Sequence, residues 1–289
     1  MIGKEEILKR IQSLHTLPAS TARLSALVND PKAGASDFEA VIRPDPALTA
    51  NLLRMANSAY FGLSREVTSV RQAITLLGIK RVYEVASSVT FSRMLPATVP
   101  GYEIDATHFW LHCVGVAVLA ERLAEELGRK APDLIFTAGL LHDMGKLAIG
   151  SFLVDASEEV FGRVLDDSID LAAAEKIVLG MDHADVGSDL AEHWNLPGPV
   201  SWAARWHHNP GEAPENVDRN LVDLVHVADG LAHSLGLGAD RGELARTILP
   251  SAIERLGVNV RRLEFTASET IGQIYGMTEL FSKCAGGVG

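Results

Sequence analysis

The sequence predicts an all-α fold, a multi-helix bundle fronted by an N-terminal helical lobe. Three observations carry that expectation. Apolar residues recur at three- and four-residue intervals along most of the chain. Helix-start signals such as Asp45-Pro46 and Ser251-Ala252-Ile253-Glu254 punctuate it, and the strict apolar–polar alternation of a strand is nearly absent.

Taken in order, Leu8, Ile11 and Leu14 form a first amphipathic set that Pro18 stops. Ser20 is placed to cap a helix from Thr21 to Val28, and Ser36 to cap a short one ending before Pro44. Asp45 as N-cap, with Pro46 at the first helical position, starts Ala47 to Asn57, whose Leu48, Leu52, Leu53 and Met55 face inward. Val70 to Leu77 stops at Gly78, and Ile79 to Met94 resumes with Val82, Val85, Val89 and Leu95 apolar. These helices read as a compact lobe without an ionisable cluster. Pro96, Pro100 and Gly101 mark the clearest break, so residues 1–98 are expected as the N-terminal lobe. A helix from about Asp105 to Leu127 follows, with Val116, Leu119 and Leu123 on the side of His112. Residues 99–235 then form a second helical lobe, and residues 236–289 supply C-terminal helices that pack on the bundle. Ser251 opens one of these, Leu263 to Cys284 is the last and packs across both lobes, and Gly286 to Gly289 reads as frayed.

Composition narrows the function classes. At 289 residues and 47% hydrophobic the chain can bury a large core. Its 26 Lys and Arg against 37 Asp and Glu give a net charge of −11, which argues against a broad nucleic-acid or anionic-membrane surface. Cys113 and Cys284 form no ligand-spaced motif and fit a reducing compartment. The early charges of Met1 to Arg10 do not suit a signal peptide and no long uncharged apolar run is present, so a cytoplasmic protein is expected.

His142-Asp143-Met144-Gly145-Lys146 sets an imidazole, a carboxylate and a cation among Leu140, Leu141 and Leu147. Buried there, the pair is costly unless satisfied, and a divalent cation satisfies both members. Further candidates lie on segments that read as helical: His112, His183, His207-His208 and Asp229. The gaps from His112 through His142, His183 and His207 to Asp229 are 30, 41, 24 and 22 residues, too wide for a zinc finger and suited to ligands converging from facing helices. Nitrogen and oxygen donors without cysteine favour iron, manganese, zinc or nickel.

The order His, His-Asp, His, His-His, Asp resembles the HD superfamily of metal-dependent phosphohydrolases. More narrowly, the run Asp45-Pro46 through Ala56-Asn57-Ser58-Ala59-Tyr60-Phe61-Gly62, followed by Ala73-Ile74-Thr75-Leu76-Leu77-Gly78 and Trp194-Asn195-Leu196-Pro197, resembles the HD-related output domain, or HDOD, family. The resemblance spans roughly the first four fifths of the chain. It implies two ions, iron or manganese ahead of zinc or nickel. Asp143 would bridge them, with His112, His142 and Asp229 on one and His183, His207 and His208 on the other. It also selects His112 over His108, which lies four residues earlier on the same helix face and which spacing alone does not separate from it. Paired cations suit phosphoester hydrolysis, with Asp143 and Lys146 as catalytic candidates. Lys146 could neutralise phosphate charge or stand as a solvated helix-end cation; Arg205 is a weaker phosphate candidate. His15, His193, His226 and His233 read as ordinary hydrogen-bonded histidines. Thr49, Asn51, Asn57 and Ser58 could line a groove or bond locally.

Cyclic-dinucleotide phosphodiesterases of the HD-GYP type place Glu and Gly-Tyr-Pro after the double histidine. Here His207-His208 runs into Asn209-Pro210-Gly211-Glu212, which weakens a cyclic di-GMP assignment. Three functions follow as expectations: a signalling phosphohydrolase acting on a nucleotide or phosphodiester, a noncatalytic regulatory module with signalling-protein partners and a structural or sensory metal, and a helix-turn-helix at Ala73 to Val89. The net charge opposes the third, so neither nucleic acid nor membrane is expected as a partner.

Overall fold

The computed structural model describes residues 17–58, 60–128, 131–238 and 246–285, together with Lys9, and side chains as far as residue 280. Leu8, Ile11, Leu14, His15 and the glycine-rich tail after residue 285 lie outside the described residues.

Among the described residues the fold is all-α apart from one small hairpin. Helix α1 (Ala19–Val28) opens at Pro18 and α2 (Ala35–Ile42) at Gly34, each a residue or two before the expected serine cap. The reason is local. Asp37 reaches back to accept the Gly34 N–H at 2.8 Å, and Ser20, inside the first turn of α1, donates to Asp45 at 3.2 Å. Helix α3 (Pro46–Ala56) starts as expected, with Asp45 accepting the Leu48 N–H at 2.9 Å. Helix α4 (Val70–Met94) is capped by Ser69 and broken at Gly78, whose φ of 82° is left-handed and open to glycine at little cost. Every residue from 82 through 92 is buried, so the second half of this pair has no face to offer a DNA groove.

Strands β1 (Thr98–Val99) and β2 (Ile104–Asp105) pair antiparallel at the Pro96–Gly101 break and place Tyr102 in the interior. Asp105 caps α5 (Ala106–Glu126), the central helix, which packs against α6 (Ile135–Leu141), α12 (Arg219–Ser234) and α14 (Val260–Ala285). Between them run α7 (Gly145–Leu153), α8 (Ser157–Asp166), α9 (Leu171–Leu179), α10 (His183–His193), α11 (Gly198–Trp206) and a 3-10 turn at Pro210–Glu212. Helix α13 (Pro250–Leu256) opens at Leu249 with Pro250 at its first position. Ser251 is therefore inside the helix and not its cap, because proline's fixed φ sets the start one residue earlier. Helix α14 lies along both α4 and α5. One apolar core runs from Phe38 and Tyr83 through Phe109 and Leu119 to Leu224.

The N-terminal helices do contribute to an ionisable cluster, contrary to the sequence reading. Arg81 donates to Glu84 at 3.0 Å and pairs with Glu121 of α5, whose second oxygen accepts the Tyr60 hydroxyl. Arg81 and Glu84 lie one helical turn apart on a face that reads as amphipathic surface, and α5 covers it. None of the described helices is long and apolar enough to cross a membrane.

Candidate metal centre

The candidate ligands come from helix ends and helix middles that the packing drives together. His112 sits in the middle of α5, and Asp229 in the middle of α12 beside it. His142 ends α6, and Asp143 lies in the tight link before α7. His183 is the first residue of α10, positioned by the Asp182 cap, and His207 ends α11 with His208 next in line. All but His208 are essentially inaccessible to solvent, and His208 is half-buried. Gly145 permits the assembly: a Cβ there would collide with the His183 carbonyl and the Gly187 amide, so only glycine lets α7 lie this close to the start of α10.

Four imidazoles are oriented the same way. Nδ1 of His112 faces the Leu237 carbonyl at 3.0 Å, Nδ1 of His142 faces Gly139 O at 2.7 Å, and Nδ1 of His207 faces Ala203 O and Ala204 O at 3.0 and 2.9 Å. Nδ1 of His183 faces Glu175 Oε2 at 2.7 Å. An oxygen at Nδ1 requires the proton there, which turns the Nε2 lone pair inward. Among the described residues, Nε2 of His112, His142 and His207, Oδ1 of Asp229 and Oδ1 of Asp143 are buried with no hydrogen-bond partner, while Asp229 Oδ2 pairs with Arg246. They face one another. His112 Nε2 is 3.2 Å from Asp229 Oδ1, and His142 Nε2 is 3.7 Å from the same oxygen. Lone pairs so placed repel unless a proton or a cation lies between them, and a divalent cation fits this donor set.

Asp143 divides the cluster. Its Oδ2 faces His112 and His142 at 3.7 and 3.5 Å, and its Oδ1 faces His183 and His207 at 3.4 and 3.6 Å. His208 meets His183 Nε2 to Nε2 at 2.7 Å. Donor atoms within metal-binding reach of one another form overlapping groups, among them His112–His142–Asp143 and His183–His207–His208.

Electrostatics keeps the carboxylates charged and divides the imidazoles: His142 and His208 are lowered, whereas for His112, as for His183, the neighbouring carboxylates outweigh burial and raise it. Burial alone would raise Asp143, but Lys146 at 2.9 Å and the surrounding histidines hold it well below the usual carboxylate range. Arg246 does the same for Asp229 against the same burial cost. Burial pushes His142 down to about 3 and lowers His208 strongly. For His183 the burial effect is outweighed by Glu175, which raises it to about 9.

Other expectations sort cleanly. His108 is exposed and pairs with Asp105, away from the cluster. Arg205 is tied to Asp185 and stacks over Trp206. His193 is exposed, whereas His226 is a satisfied core histidine, donating to His207 O at 2.6 Å and accepting from Leu249 N–H at 2.9 Å. Thr49 and Asn57 bond locally to backbone. Lys146 is only 1% exposed and sits at the start of α7, so the solvated helix-end reading is overturned. Sequence reasoning missed three residues. His233 stands 3.3 Å from Asp229 and completes a His112–Asp229–His233 group; its place four residues after Asp229 on one helix was the available signal. Glu175 carries His183 through both its Nδ1 and its backbone N–H, and Tyr102 donates to the other oxygen at 2.7 Å. Arg246 had no sequence signal.

A helical bundle with an inward-facing cluster of histidines and aspartates defines the class to which this chain belongs. It is a member of the HDOD domain family, which matches residues 14–210. An uncharacterised protein of Treponema pallidum (strain Nichols) is 29% identical over 226 residues, covering 77% of this chain and 43% of that protein. Ribonuclease Y of Aquifex aeolicus (strain VF5) is 34% identical over 148 residues, 50% of this chain and 19% of that one. The chain thus spans less than half the length of the curated relatives it matches. Among solved structures, a provisionally named phosphohydrolase from Shewanella amazonensis SB2B shares the fold with a TM-score of 0.73 at 24% identity, covering 95% of this chain and 97% of that one. An HDOD domain protein of unknown function from Geobacter sulfurreducens gives 0.70 at 23%, covering 98% and 99%.

Proposed function

We propose that this chain is a signalling phosphohydrolase that holds two divalent transition-metal ions and hydrolyses a phosphodiester or nucleotide phosphoester. The observation that carries this reading is the set of buried, unpartnered Nε2 and carboxylate atoms aimed at one another around Asp143. His112, His142 and Asp229 would hold one ion with Asp143 Oδ2, and His183, His207 and His208 the other with Asp143 Oδ1. His233 stands beside the first set. Iron or manganese suits these nitrogen and oxygen donors ahead of zinc or nickel. Two such ions supply charge stabilisation to both oxygens of a phosphoryl displacement. The chain's own part is to hold the ligands in their tautomers through Leu237, Gly139, Ala203 and Glu175, and to present Lys146 beside Asp143 as a cation for phosphate charge.

Elemental analysis of protein purified without added metal tests the first half, with two ions expected per chain and a sharp loss in Asp143→Ala. A screen of a chromogenic phosphodiester and of cyclic and linear nucleotides, with Asp143→Ala as control, tests the second. One observation favours a second reading, a noncatalytic regulatory module. Lys146 against Asp143 and Arg246 against Asp229 already set two cations beside two carboxylates. Metal-replete protein that turns over nothing above the control, yet shifts its melting temperature with one nucleotide, would select that reading.

A further inference from the structure

Helix α12 and the turn after it close over His112. Asp229 Oδ1 lies 3.2 Å from His112 Nε2, and the Leu237 carbonyl lies 3.0 Å from its Nδ1. Between these two in sequence comes His233, whose ring centroid is 4.4 Å from that of His112 with the planes 35° apart. A histidine in the last turn of a helix ordinarily serves the macrodipole from the surface. The His233 side chain is instead turned inward and only 10% exposed.

Three imidazoles converge on one oxygen. His112, His233 and His142 bring Nε2 to 3.2, 3.3 and 3.7 Å from Asp229 Oδ1, while Oδ2 is taken by Arg246. Yet Oδ1 has no hydrogen-bond partner, so the nitrogens surround it without donating to it. For His112 and His142 the reason is visible, because the carbonyls of Leu237 and Gly139 draw their protons to Nδ1. Hydrogen bonding therefore does not account for the convergence, whereas a cation among these atoms does. The donor atoms of His112, Asp229 and His233 lie within 4.8 Å of one another. Asp229 and His233, four residues apart on one helical face, also have the spacing of a chelating pair.

We infer that His233 is a further ligand of the ion held by His112 and Asp229. That position then gains a fifth protein donor beside His142 and Asp143, where its neighbour has His183, His207, His208 and Asp143 alone. The first position should accordingly fill first and empty last. The inference rests on the metal-binding half of the proposed function and not on hydrolysis.

Titration of the metal-stripped full chain with Co(II) against a chelating dye tests it, together with the proton NMR spectrum of the Co(II)-loaded protein, in which the ring N–H of each coordinating imidazole is strongly shifted. The wild type should show two unequal binding steps. His233→Ala should weaken the tighter step by about a hundredfold or more, beyond the roughly 10- to 100-fold that loss of an outer hydrogen bond costs, and should delete one shifted imidazole signal. His233→Gln is the second variant, and it decides if the alanine variant does not fold. It keeps an N–H for Asp229 but has no imidazole lone pair, so a ligand role gives the same loss and a hydrogen-bonding role gives wild-type affinity. His108→Ala, exposed and away from the cluster, should change neither step. Wild-type affinities in His233→Gln, or a full set of shifted imidazole signals there, would overturn the inference and leave a two-ion centre standing. A wild-type chain that binds no Co(II) would overturn both. One bound ion instead of two, still weakened in both His233 variants, would uphold the inference and remove the second ion from the proposed function.

Discussion

The metal cluster and the Arg81 cluster both bury charge against α5, but they close that charge differently. Around Arg81 the polar atoms meet one another: the guanidinium spans Glu84 and Glu121, and the Tyr60 hydroxyl takes the remaining oxygen. Around Asp143 the outer atoms are satisfied and the inner ones are not, because every Nδ1 with an oxygen partner frees an Nε2 that faces the centre. A network that satisfies itself can be a structural joint. One that satisfies only its periphery is arranged for something placed inside.

The largest effects should come from breaking each closure in turn. Asp143→Ala removes the oxygens shared by both ligand sets and takes a carboxylate from beside the buried Lys146 ammonium, so metal content should collapse. The metal-free protein should also lose about 3–5 kcal/mol of stability, read by urea denaturation. Arg81→Leu should cost a comparable amount by stranding Glu84 and Glu121, yet leave metal content unchanged. Equal metal in wild type and Asp143→Ala would end the distinction between the clusters. Next comes Gly145→Ala, whose methyl must force α7 off α10. About 1–3 kcal/mol should be lost, with metal content falling because His183 moves with its helix.

Glu175 sharpens the comparison further. Glu175→Gln keeps an oxygen for the His183 Nδ1 proton but discards the charge, and metal affinity should fall about 10- to 100-fold by competition with a chelator. Tyr102→Phe removes only the hydrogen bond to Glu175 and should do less. An unchanged affinity in Glu175→Gln would reduce that carboxylate to packing.

How much of this was legible in the sequence depended on distance along the chain. Asp45-Pro46, the Gly78 break and a helix start near Asp105 are settled within a turn of helix, and the structure repeats them. The serine caps failed because Ser20, Ser36 and Ser251 compete with Pro18, Asp37 and Pro250, and serine is the weaker signal beside a fixed φ or a reaching carboxylate. The family resemblance was legible from its motifs. What holds the candidate site was less so: Glu175 is eight residues from His183 on another helix, and Arg246 approaches Asp229 from beyond the end of α12. Those contacts are made by packing, which no local pattern encodes.

The smallest expected effect separates the clusters by the sign of their response to pH. Glu84 goes from an ordinary value of 4.5 to about 7 in the folded chain, so the folded state holds its proton more tightly than the unfolded one. Its contribution to stability is complete below about pH 4.5 and is lost as pH rises through 7. The stability of wild type relative to Glu84→Gln should therefore shrink between pH 5 and 8, by about 1–2 kcal/mol once the weakened Arg81 contact is allowed for. The metal cluster should run the other way. Metal binding needs bare Nε2 atoms, and His183, raised to about 9 by Glu175 against burial, must give up a proton to bind an ion. The stability gained on metal loading should accordingly grow across the same range as competing protons leave. Urea denaturation of metal-loaded, metal-stripped and Glu84→Gln proteins at pH 5, 6, 7 and 8 measures both gaps in one series. Opposite slopes are expected, and two slopes of the same sign would show that the Arg81 cluster and the Asp143 cluster do not differ in the way their geometry indicates.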